Sequence, residues 1–161
     1  MKRIIALIIL GAATLSATAE EAFLQLSLTP DVALQSRDTV INGISLNIWG
    51  ENEQSAFALG FVNGSTGHSC GVSWGIVNYA ESYTGLQIGF VNYVSEQFEG
   101  VQLGGVNVAA NASGLQWGFI NYAENLRGVQ IGFINIVTEN PWFDEFPDKL
   151  AMVFPIVNWS F

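Results

Sequence analysis

Gly67-His68-Ser69-Cys70-Gly71 brings together the only histidine and the only cysteine of the chain. Residues two apart on a strand share a face, so this imidazole can act as base toward the thiol and give an activated thiolate. No third, orienting group is marked nearby, and the stretch falls where neighbouring units carry an ordinary turn. One His and one Cys also fall short of the three or four ligands that zinc takes. A second set, Glu81, Glu96, Glu124 and Glu139, follows recurring asparagines by three or four residues. In stacked turns such acids can hold calcium, but their offset varies and one unit has Ala110 and Asn111 there, so they read as solvated turn charges. Gly85 and Gly89 imitate a phosphate-binding glycine pattern without a helix to follow it, and relieve packing instead. Asn63, Asn111 and Asn158 begin glycosylation sequons, the last inside a strand. The expectation is therefore a non-enzymatic protein: no catalytic, cofactor-binding or metal-ligating residue is assigned.

The elements that must position these residues are set by a repeat. Gly85-Leu86-Gln87-Ile88-Gly89-Phe90-Val91-Asn92 is followed by Gly100-Val101-Gln102-Leu103-Gly104-Gly105-Val106-Asn107. Aligned on asparagine, Asn63, Asn78, Asn92, Asn107, Asn121 and Asn135 are spaced 15, 14, 15, 14 and 14. With weaker copies at Ala56 to Asn63 and Gly43 to Trp49, and flanking copies at Phe23 to Leu28 and Ala151 to Asn158, about nine units form one array. Each unit alternates and each is a strand. Glu139 to Lys149, with Pro141 and Pro147, reads as a loop. The fold class is all-β.

Lys2 and Arg3, the apolar run Ile4 to Ala13, and Ala17-Thr18-Ala19 have the form of an export signal. The domains are then a signal peptide over 1–19 and one β-repeat domain over 20–161. That domain keeps three basic residues (Arg37, Arg127, Lys149) against fourteen acids, a net charge of −11. Such a surface repels nucleic acid. A single cysteine excludes an intramolecular disulfide.

Two architectures accommodate the array. In an antiparallel meander each repeat is one strand and one turn, closing into a small barrel of about 8–10 strands. In a parallel β-solenoid each repeat is one coil and the asparagines stack as a ladder. Alternation from Gly85 to Tyr93 covers about 30 Å at ~3.3 Å per residue. The five or six remaining residues reach at most ~20 Å, so a solenoid requires a bend at Gly89. In a solenoid, moreover, Val77, Val91, Val106, Ile120 and Ile134 would lie on the outer side, an apolar stripe uncommon on soluble monomers. The barrel is therefore the expectation. It places Gln87, Gly89, Val91 and Tyr93 toward the lumen, and Leu86, Ile88, Phe90 and Asn92 toward lipid. Trp74, Trp117 and Trp159 fall on the apolar face. Val157, Trp159 and Phe161 end the chain in the style of the closing strand of outer-membrane barrels.

The phrases "GLQIGFVN" and "GVQIGFIN" with the closing "FPIVNWSF" resemble a family of bacterial surface-repeat proteins. The likeness covers roughly Gly43 to Phe161 and carries no catalytic residues. It implies an envelope-associated bacterial protein. The outward apolar face of the expected barrel adds an outer-membrane or cell-surface address, lipid as its neighbour and a structural or surface-contact role. The alternatives are a secreted, solenoid-like binding module of adhesin type, and a thiol enzyme built on His68 and Cys70.

Overall fold

The computed structural model describes residues 20–161, so the export signal expected over 1–19 lies outside the described residues. The elements are β1 (Glu21–Thr29), β2 (Val32–Ala33), β3 (Val40–Asn52), β4 (Ser55–Trp74), β5 (Val77–Val137) and β6 (Val153–Ser160). They form one sheet in the order β2-β1-β3-β4-β5-β6. A straight strand as long as the 61-residue β5 would extend about 200 Å. Instead β5 winds on itself, because side chains 14 or 15 residues apart touch throughout its length.

The chain is a β-solenoid, and the expected antiparallel barrel is not formed. β1 pairs with β3, β3 with β4 and β4 with β5 in parallel, with like positions in register: Asn63 on Asn78, Gly71 on Gly85, Val72 on Leu86. A meander would have required each unit to run against the one before. The contour-length argument fails because the alternating stretch is not straight. Ile88 and Phe90 point outward and Gln87 inward, but the inward phase resumes at Asn92 rather than Val91. That one-residue slip after Gly89 turns the corner. A second corner spans Ser95, Glu96 and Gln97, all exposed, before Phe98 turns inward.

Glycine makes the third corner possible. Gly85 has φ of 134°, and a Cβ there would lie 2.1 Å from the carbonyl oxygen of Gly71 in the coil below. Only a residue without a side chain accepts both that dihedral and that approach.

The interior is largely amide. Asn47, Asn63, Asn78, Asn92, Asn107, Asn121 and Asn135 are joined Nδ2 to Oδ1 in sequence at 2.8–3.0 Å. Gln87, Gln102, Gln116 and Gln130 form a parallel ladder at 2.8–2.9 Å. Beside them, Ala80, Val94, Ala109, Ala123 and Val137, with Tyr83, Phe98, Ala112 and Leu126, make a slim apolar core. Identical side chains stacked on identical side chains satisfy each other when coils repeat in register.

The C-terminal end is closed by β6, which runs antiparallel to the last coil, Gln130 opposite Asn158. Phe161 N–H donates to Asp148 O at 3.1 Å. Trp159 Nε1 donates to Pro147 O at 2.8 Å. The segment between β5 and β6 is the loop expected around Pro141 and Pro147.

Candidate functional site

The structure separates the candidates for chemistry. His68 is exposed, while Cys70 Sγ donates to Ser55 Oγ at 3.3 Å. No hydrogen bond joins His68 to Cys70 among the described residues. Both line a small polar cleft of about 200 Å³ with Tyr83 and Glu99. Burial pushes the Tyr83 phenol up, with Cys70 adding in the same direction, so this hydroxyl stays protonated. The thiol and the imidazole share this cleft, and among the described residues the thiol's hydrogen bond goes to Ser55.

The four glutamates are distributed one per turn. Glu81 Oε2 accepts from Gly67 N at 2.7 Å, and Glu96 Oε2 accepts from Ser82 Oγ at 3.1 Å. No group of three or more His, Cys, Asp or Glu converges to hold a metal ion among the described residues. Of the sequons, Asn63 and Asn158 are wholly buried, so neither presents an amide to a glycosylating enzyme.

What distinguishes the molecule is its outer wall. The amide ladders are inside, and many large apolar side chains are outside: Phe90, Phe133 and Phe119 are 67%, 66% and 62% exposed. Phe119 and Phe133 stack at 5.1 Å in successive coils. Asn92, expected on the lipid side, is fully buried, and Tyr93, expected in a lumen, is exposed. The stripe Val91, Val106 and Ile120 is half-exposed, as the solenoid alternative required. Trp74 and Trp117 also stand outward. One edge alone is polar, made by Ser95 to Gln97 with Glu99 in one coil and Glu124, Asn125 and Arg127 in another.

Comparison with protein-family models, with curated proteins and with solved structures finds no match. The site is therefore read from geometry.

Within the wall runs a concave furrow of about 650 Å³. Each coil contributes two apolar residues on either side of one inward position: Leu46 and Ile48 about Asn47, Leu59 and Phe61 about Gly60, Trp74 and Ile76 about Gly75. Leu26 and Leu28 of β1 close one end. A Cβ at Gly75 would lie 2.7 Å from Asn63 Nδ2 and 3.2 Å from Asn78 Oδ1, so glycine makes room for the amide ladder behind the furrow floor. A second hollow of about 390 Å³, lined by Leu103, Gly104, Trp117, Gly118 and Phe119, repeats the pattern further along. Sequence reasoning missed the furrow and the glutamine ladder. The signal for both was present in the recurring apolar-Gly-apolar triplet and in the spacing of Gln87, Gln102, Gln116 and Gln130.

Tyr79 is the other perturbed group. Trp49 Nε1 donates to its hydroxyl at 3.1 Å, and that hydroxyl donates to Glu51. Burial first, then the hydrogen bond to Glu51, pushes its pKa up to about 12.

Proposed function

We propose that the chain is a non-enzymatic protein of the bacterial envelope, held at the outer membrane or cell surface by its apolar wall and serving a structural or surface-contact role. One observation carries the reading: large apolar side chains face outward from coil to coil while two amide ladders occupy the inside beside a slim apolar core. The outward pairs of successive coils, from Leu46 and Ile48 to Ile131 and Phe133, lie in register, and at roughly 100 Å² for a half-exposed large side chain that stripe amounts to on the order of 1,000–1,500 Å², against the ~300–600 Å² patch of an ordinary monomer. A standard dimer covers about 800 Å² per partner and would leave the rest of that stripe wet. Lipid covers several faces at once, with the acidic polar edge left in water. The resemblance to bacterial surface-repeat proteins and the export signal expected from the sequence of 1–19 support that address.

Fractionation of the cell envelope tests it. The protein should remain with membranes through carbonate and urea washes and should float with lipid vesicles. A detergent-independent monomer in the soluble fraction would end the reading. The furrow supports a second reading, a secreted solenoid-like binding module, and that soluble monomer is the result it expects.

A further inference from the structure

We infer that the furrow seats one acyl chain of a zwitterionic membrane phospholipid. The inference rests on the membrane-contact reading and names the lipid part that this concavity takes. The furrow volume of about 650 Å³ falls within the ~300–1,000 Å³ of small-molecule sites, and its walls are the side chains of Leu46, Ile48, Leu59, Phe61, Trp74 and Ile76. The strands that floor it are already paired coil to coil: Leu46 with Leu59, Asn47 with Gly60, and Ile76 N–H donating to Phe61 O at 3.0 Å. An extended peptide laid in the furrow would find no free main-chain partner and would lose hydration without compensation. A hydrocarbon chain has no such groups to satisfy. The lining comes from successive coils, so the long axis runs across them; at ~4.8 Å between coils an unbranched chain meets a fresh apolar pair about every four methylenes. A net charge of −11 on the described residues disfavours an anionic head group at the mouth, which selects the zwitterionic lipid.

The test is native mass spectrometry of the protein released from maltoside micelles, with lysophosphatidylcholines of eight to sixteen carbons added as probes. One lipid should remain bound per chain. Retention should rise about three- to fourfold for each methylene buried, until the furrow is full. Ile48→Glu with Phe61→Glu, both at positions more than half exposed, should abolish retention, while Trp142→Ser in the loop should leave it unchanged. Should the double variant not fold, quenching of Trp74 by a mid-chain-brominated probe, compared with Trp74→Phe, reports the same contact. No retained lipid on folded protein overturns the inference. So does equal retention by the double variant, retention of palmitate in place of the lysolipid, or a dimer that dissociates on Phe61→Glu. Vesicle flotation is read separately. Failure to float with lysolipid still bound would overturn the membrane reading alone, and floating without lysolipid retention would overturn the furrow alone.

Discussion

Asn92 donates its Nδ2 hydrogens to Oδ1 of Asn107 at 2.8 Å and to the carbonyl oxygen of Leu103 at 3.1 Å. Both donors are spent, so the amide has one orientation, and every ladder asparagine passes its hydrogen toward the C-terminus. The glutamines pass theirs the other way: Gln102 Nε2 donates back to Gln87 Oε1 at 2.9 Å. The two amide columns therefore oppose each other's dipoles, and the shorter glutamine column offsets part of the field of the asparagine column.

Asn92→Ala removes both donations and leaves the Asn78 amide short of an acceptor. The cost should be about 2–4 kcal/mol, from lost hydrogen bonds and an orphaned buried donor. Asn92→Asp should cost more at neutral pH, since it puts a carboxylate against two acceptors in a buried column. Burial raises the folded pKa of such an acid, so its excess penalty is full above that raised value, shrinks as pH falls from there toward the unfolded value near ~4, and is gone below it. Urea melts at pH 7 and pH 3.5 check the sign. Equal stability of the two variants at both pH values would refute the ladder.

Two glycines of successive coils should respond differently. Gly85→Ala meets a positive φ and a carbonyl oxygen 2.1 Å away, and should cost at least about 3 kcal/mol or prevent folding. Gly105→Ala meets chiefly the Phe90 ring, at 2.9 Å, and that ring stands in the open. This substitution should cost no more than about 1 kcal/mol. Thermal unfolding followed by circular dichroism ranks them, and a reversed order would contradict the corner assignment.

The all-β class, the coil period and the loop around Pro141 were legible in the sequence. The asparagine spacing is the coil length, and the loop prolines stop the pattern. Parallel or antiparallel closure was not legible, because a 14-residue unit serves a strand-plus-turn as well as a coil. The slip between Phe90 and Asn92 was hidden too. Both Phe90 and Val91 are apolar, so the change of face leaves no mark in hydropathy. Asn92 and Tyr93 were consequently assigned to the wrong sides. The recurring Gln87, Gln102, Gln116 and Gln130 were the readable sign, since amides in register can satisfy one another indoors.

Alkaline stability should report on Tyr79. Its folded pKa of about 12 lies above the ordinary ~10. The stabilisation is therefore fully present below pH 10 and is lost as pH rises through 12. Tyr83 is shifted in the same direction by burial and steepens the same limb. Tyr79→Phe should flatten the decline between pH 10 and 12 while leaving Tyr83's share. An ultraviolet titration of the phenols on folded protein measures both. A Tyr79 that ionises near pH 10 would contradict its burial and its bond to Glu51.

The wall itself can be tested without disturbing the core. Phe90 and Phe133 are each about two-thirds exposed, so replacing both with Ser removes little intramolecular packing beyond the Phe119–Phe133 stack. Stability should fall by no more than about 1 kcal/mol. If lipid covers the exposed two-thirds of these rings, each contributes on the order of 1–2 kcal/mol of burial, and Phe90→Ser with Phe133→Ser should weaken partitioning onto zwitterionic vesicles roughly 30- to 1,000-fold. Flotation of wild type and variant on neutral vesicles measures the ratio directly. A variant that floats as well as the wild type would mean that these outward rings meet something other than lipid, and the inside-out distribution would need a protein partner to explain it.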